Sequence, residues 1–123
     1  MAEQGMVDCT LREGDQSPGV AMHLDEKLAI AGLLDRAGVA LADAGMPELS
    51  ADERRFLTMA AERSEQMVVG ASVRCVPAAM DLATSCGVGA VFVICPTSRL
   101  HLHKRLGTDL SGLLHRLGHC ADR

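Results

Sequence analysis

Arg12 and Glu13 stand side by side where a short apolar run gives way to a loop, in Val7-Asp8-Cys9-Thr10-Leu11-Arg12-Glu13-Gly14-Asp15-Gln16-Ser17-Pro18-Gly19. The guanidinium is permanently charged and presents a planar fork of donors, and the carboxylate is a hard oxygen ligand. Such a pair can hold a metal ion and neutralise the charge of a bound anion. In a parallel α/β sheet the carboxyl end of a strand is where ligands bind, because the loops there carry no packing duty. The same two residues would equally balance one another on a solvated loop.

The elements that must position this pair follow from periodicity and punctuation. Residues 6–11 read as a strand, ended by a loop with Gly14, Pro18 and Gly19. Residues 25–37 read as a helix with Asp25 and Glu26 at its front, Leu24, Leu28, Ala31 and Leu34 on one face, and Gly38 as its stop. A buried strand over 39–44 ends at Gly45-Met46-Pro47. Ser50 and Glu53 have capping-box spacing for a second helix, which carries Phe56, Met59 and Ala60 inward and frays near Arg63-Ser64.

Residues 67–73 are rich in β-branched side chains and form a third strand, ending at Arg74-Cys75. Pro77 fits the first turn of a helix that runs to Cys86 and stops at Gly87. Residues 90–95 are continuously apolar, as in a strand covered on both faces. A loop starts at Pro96-Thr97-Ser98, and Asp109 opens a last helix with Leu110, Leu113, Leu114 and Leu117 on one face. The order β-α-β-α-β-α-β-α, with short connections, predicts a parallel sheet with crossover helices. Periodicity alone does not separate an open doubly wound sheet from a barrel.

Composition narrows the functional classes. Of 123 residues 48% are apolar but only 2% aromatic, so Ala, Leu, Val and Met must fill the core. A net charge of −4 gives no reason to expect nucleic acid or an anionic membrane as partner. No apolar run approaches the roughly 18 residues of a membrane span, and the first residues lack a secretory pattern, so a cytoplasmic location is expected. Five cysteines without C-x-x-C spacing argue against a disulfide framework and a zinc ribbon. Cys9, Cys75 and Cys95 are expected to be small buried thiols.

The opening stretch resembles the first-strand signature D-x-T-L-R-(D/E)-G-x-Q of the homocitrate, isopropylmalate and citramalate synthase family, with homocitrate synthases the nearest. Asp8, Thr10, Leu11, Arg12, Glu13, Gly14 and Gln16 match its seven specified positions in order. The likeness continues in residues 25–31, in Ala44-Gly45-Met46-Pro47, and in Pro96-Thr97-Ser98 followed by His101 and Arg105-Leu106. It covers the whole chain but only the front half of the family's catalytic domain. The resemblance implies the first four β/α units of a (β/α)8 barrel, a fold that takes about 250 residues.

In that family a divalent metal ion (Mg, Mn or Zn) grips a 2-oxo acid, and acetyl-CoA loses a methyl proton to give the carbon that attacks the oxo carbon. By resemblance Glu13 is the acidic metal ligand and Arg12 stabilises the developing oxyanion. Gln16 is expected to hydrogen-bond near the substrate, and Arg74 to clamp the distal carboxylate of a dicarboxylic oxo acid, with 2-oxoglutarate favoured. Taken alone, Arg74 would also serve as a surface salt-bridge partner. His101 matches the histidine of the family's S-x-x-H loop that starts at Ser98, so both are candidate substrate contacts. Asp43 stands where relatives usually carry Glu, with a shorter reach.

The departures are equally specific. The family's His-x-His pair belongs to the seventh strand, so His101 and His103 are not its counterpart. The later-strand Thr and Glu are absent too. One carboxylate does not make a selective metal site. The expectation is an amino-terminal subunit or fragment that is inactive alone and completed by a complementary carboxy-terminal half-barrel, with self-association as the other way to cover its surface. A catalytically silent half-barrel acting as a scaffold is the competing reading.

Overall fold

The computed structural model describes residues 5–122, and its frame is a four-stranded parallel sheet in the order β1-β2-β3-β4. β1 (Val7–Asp8), β2 (Leu41–Asp43), β3 (Val68–Arg74) and β4 (Ala90–Ile94) alternate with α1 (Leu24–Arg36), α2 (Ala51–Arg63) and α3 (Pro77–Ser85). Two helices, α4 (Arg99–Arg105) and α5 (Leu110–Ala121), follow the last strand. Register pairs Val7 with Leu41, Leu41 with Val68, and Gly70 with Ala90.

Successive strand side chains point to opposite faces, and the two faces of this sheet differ sharply. Val69, Ala71 and Val73 of β3, with Ala42 and Ala44, pack against Phe56, Leu57 and Ala60 of α2, Ala31 of α1, and Ala79 and Ala83 of α3. Small alanines let helices approach the strands closely, which is how so few aromatic residues still make a core. The opposite face carries Leu41, Asp43, Val68, Gly70, Ser72, Arg74, Ala90, Phe92 and Ile94. Here no helix layer lies over the sheet, and Val68 and Ile94 are 42% and 44% exposed. Phe92 instead lies flat along its own sheet, its ring where a Cβ on Gly70 would sit, 2.6 Å away.

Three sequence expectations are corrected by local geometry. The first strand stops at Asp8 instead of Leu11: the Asp8 carboxylate accepts from the Thr10 amide (2.9 Å) and hydroxyl (3.1 Å), turning the chain out of the sheet. Thr10–Gly14 then winds into one π-helical turn, with Leu11 buried and Arg12 and Glu13 swung above the strand ends. Residues 99–105, expected as loop, form α4, capped by Ser98 and anchored by buried Leu102. In α2 it is Leu57, not Met59, that joins Phe56 and Ala60 in the buried core.

A buried cation ties the opening loop to this frame. Lys27 of α1 is only 3% exposed, and its Nζ reaches Glu53 Oε2 at 2.7 Å and Asp15 Oδ2 at 3.3 Å, lying 4.7 Å from the centre of the Phe56 ring. Ser50 Oγ caps α2 by accepting from the Glu53 amide (3.0 Å), as the capping-box spacing predicts. The Glu53 carboxylate, however, turns away to Lys27 and to the Met46 amide (3.3 Å). It occupies the space beside Gly45, where a Cβ would stand 1.9 Å from Oε1, so a side chain there would displace the carboxylate from its bonds to Lys27 and the Met46 amide. Asp15 also accepts from the Met22 amide (2.9 Å), closing the loop between them at its neck. That amide bond, with the charge of Lys27, holds the Asp15 carboxyl below the ordinary range.

Two outcomes follow. Lys27→Met strands two part-buried carboxylates, at a cost of about 3–5 kcal/mol, the order expected when one partner of a buried pair is removed. Urea denaturation measures it, and a cost within experimental error would reduce Lys27 to a surface group. A lowered carboxyl pKa also gives stability that is present above the unfolded-state value and lost as pH falls through the folded one. The Met22 amide should therefore lose hydrogen-exchange protection on acidification below the usual carboxylate range. Asp15→Asn should remove that pH dependence.

Candidate functional site

The turn after β1 delivers Arg12 to the carboxyl end of β2. Its Nε donates to Asp43 Oδ2 and its Nη1 donates to Glu13 Oε1 at 2.5 Å. Asp43 Oδ2 also accepts from the Ser72 hydroxyl at 2.7 Å, so β2, β3 and the turn after β1 meet at one carboxylate oxygen. Burial would lower the Arg12 pKa, but the bonds and charges of Asp43 and Glu13 outweigh it, and the net direction is up. The guanidinium is therefore a fixed cation.

The two carboxylates differ in access. The Asp43 side chain is 4% exposed and that of Glu13 is 60% exposed. Asp43 Oδ1 is buried and makes no hydrogen bond among the described residues. Such an acceptor calls for a donor or a cation that this chain does not itself supply. The short reach of Asp43 is met by Arg12 coming to it, since the turn brings the guanidinium over the strand end.

The other candidates lie around this centre without joining it through a bond. Gln16 is exposed on the loop above the turn. Arg74, at the end of β3, is engaged by Glu48: its Nε and Nη2 donate to Glu48 Oε1 at 2.8 and 2.5 Å, and its amide donates to Oε2 at 3.1 Å. These bonds hold the Glu48 carboxyl below its ordinary value. Ser98 accepts from the His101 amide at 3.3 Å as the cap of α4, and the His101 side chain is exposed. Among the described residues no three His, Cys, Asp or Glu side chains converge to hold a metal ion.

Sequence reasoning misses Ser72, Glu48 and Lys27. Ser72 has a signal: it is a hydroxyl inside a β-branched run, two residues before the strand end and on the same face as Arg74. Glu48 has none, because it lies in the turn after β2 and its partner, Arg74, is 26 residues away at the end of β3.

Residues 4–123 match the sequence profile of the HMGL-like family. The putative (R)-citramalate synthase of Methanopyrus kandleri is 36% identical over 114 residues, which cover 93% of this chain and 22% of that protein. The homocitrate synthase of Frankia sp. (strain FaC1) is 36% identical over 113 residues, 92% of this chain and 28% of that protein. The chain thus spans less than a third of the length of these relatives. The crystal structure of the Bacillus subtilis HMG-CoA lyase superposes with a TM-score of 0.74 at 18% identity, over 98% of this chain and 42% of that one. The fold is therefore the amino-terminal part of a TIM barrel, and the chain belongs to the HMGL-like family.

Proposed function

We propose that this chain supplies the first four β/α units of a homocitrate-synthase-like acyltransferase, which condenses acetyl-CoA with a 2-oxo acid once a second half closes the barrel. The observation that carries the reading is the arrangement of Arg12, Asp43 and Glu13 at the strand ends of an unclosed sheet. One guanidinium is oriented from below by a buried carboxylate, while an exposed carboxylate stands beside it. Arg12 would stabilise the oxyanion that develops on the oxo carbon as the new carbon–carbon bond forms. Arg74 would take the distal carboxylate of a substrate such as 2-oxoglutarate, in exchange for its bonds to Glu48. Gln16 and His101 would provide further polar contacts around the substrate.

The residues present fit a divalent cation in part. Glu13 offers an exposed hard oxygen, and Asp43 Oδ1 is a second carboxylate oxygen without a donor. The remaining ligands must come from a second half. A bound Mg, Mn or Zn ion would polarise the oxo group and offset the local excess of negative charge.

Exposed apolar residues favour completion by such a half. Val7, Val68 and Ile94 are bare on the strands, Leu33 on α1, and Leu110 and Leu114 on α5. β1 and β4 each have one sheet neighbour, which leaves a row of amides and carbonyls open on either side.

The purified chain is expected to associate, and to show no acyl transfer from acetyl-CoA to 2-oxoglutarate even with Mg or Mn present. Activity should appear on mixing with a chain that carries the missing strands. A monodisperse monomer that turned over 2-oxoglutarate unaided would overturn the half-enzyme reading. Failure of every complementing half to restore activity would favour a scaffold role.

In the assembled enzyme Glu13→Gln should abolish turnover while leaving assembly intact, because the charge goes and the shape stays. Arg12→Lys should lower kcat by about a hundredfold or more, comparable to losing one oxyanion donor, with a much smaller change in KM. Near-parental turnover in either variant would remove that residue from the chemistry.

A further inference from the structure

A second group of reactive side chains lies on the helix face of the sheet, away from the carboxylates. Arg74 pairs with Ile94, the last register pair of β3 and β4, so Cys75 and Cys95 are the residues that directly follow the two strands. Strands in a sheet run about 4.8 Å apart, which falls within the Cα spacing that a disulfide accepts. Both side chains enter one apolar cluster with Leu102, Leu113, Leu117 and Cys120, so the thiols face the same way. Cys75 and Cys120 are buried, Cys95 is half-buried, and neither Cys75 nor Cys95 is in a disulfide. Burial, with the neighbouring Cys95 thiol, raises the Cys75 pKa, and Cys75, Cys95 and Cys120 belong to the same cluster. A cavity of about 280 Å³, lined by Cys75, Val76, Pro77, His115, Arg116 and His119, borders the group on the Cys75 side.

We propose that Cys75 and Cys95 are a peroxide-sensitive dithiol that closes into a disulfide across the ends of β3 and β4. The more accessible Cys95 reacts first. Its thiolate attacks one oxygen of hydrogen peroxide, the O–O bond breaks, and the departing hydroxide is protonated to water, leaving a sulfenic acid. The sulfur loses two electrons and the peroxide gains them. The Cys75 sulfur then attacks the sulfenic sulfur, the S–O bond breaks, and the Cys75 proton leaves with the hydroxyl group as a second water. The bridge locks the residue after Arg74 to the residue before Pro96, at the point where both chains leave the sheet. Cys75, only 6% exposed, belongs to the same cluster as the sulfur that is oxidised.

The test is thiol mapping on the full chain. After treatment with dilute hydrogen peroxide and alkylation in denaturant, free thiols should fall from five to three. The intact mass should drop by two hydrogens before alkylation, and the cross-linked peptide should join Cys75 to Cys95. A thiol reductant should restore all five thiols. Cys95→Ser should lose the bridge, whereas Cys120→Ser should keep it. Retention of all five thiols, or a bridge from Cys75 to Cys120 or between two chains, would overturn the assignment, and neither result depends on acyltransferase activity.

Discussion

The Lys27 ammonium is the interaction on which the positions of the other elements turn. An ammonium taken out of water loses several kcal/mol of hydration, so it persists there only if charge and hydrogen bonds replace that shell. Glu53, Asp15 and the face of Phe56 do so, and they reach it from two separate segments, α2 and the opening loop. Glu53 also brings the loop after β2, because its second oxygen holds the Met46 amide. Asp15 brings the loop that begins just after Glu13. The cation thus couples the helical layer to the turn that presents Arg12, and rigid support for that turn comes from beneath the sheet. Gly45 has no side chain to push the Glu53 carboxylate aside.

The two faces of the sheet above this support differ. Its helix face is packed to near-zero exposure with alanine and valine. Its other face carries a polar knot at one end, Arg12, Asp43 and Ser72, and bare apolar strand residues elsewhere. In an open doubly wound sheet helices would cover both faces. Here the helices all lie on one side of the sheet, as in a barrel wall, whose inner side is covered only when the wall closes on itself. The same geometry explains the apolar residues left on α1 and α5, the first and last helices, which lack an outer neighbour.

Much of this is legible in the sequence, and the failures have physical causes. β2, β3 and β4 declare themselves because strands buried on one or both faces read as continuous apolar runs ended by Gly, Arg or Pro. The first strand reads too long because Val7 to Leu11 alternates well enough, and the signal that ends it is a local one. An Asp two residues before a Thr captures the Thr amide before the ladder can. α4 escapes a periodicity reading because Arg99 to Arg105 has one buried residue, Leu102, and no apolar stripe. Lys27 is hidden for the opposite reason: beside Asp25 and Glu26 it reads as a solvated charge, and its partners are 12 and 26 residues away. At the site, Arg12 and Glu13 stand out from the motif, whereas their geometry depends on Ser72 and Asp43, which only the pairing of β2 with β3 brings together.

Charge balance supports the proposal that this site is completed from outside. Arg12 carries one positive charge and is bonded to two carboxylates, so the cluster as it stands is net negative. An anionic oxo acid approaching Arg12 would meet Glu13 and, beneath it, Asp43. At separations near 4 Å and the effective dielectric of a protein surface, each unit-charge interaction is worth about 4 kcal/mol, so the balance of signs decides whether such a ligand stays. Arg74, the other cation on this face, is already neutralised by Glu48. Nothing among the described residues reverses the sign. A divalent cation on the Glu13 side would, and it would turn the exposed carboxylate from a repulsive neighbour into a ligand. The buried carboxylate acts differently. By holding Nε while Glu13 takes Nη1, it fixes the plane of the guanidinium.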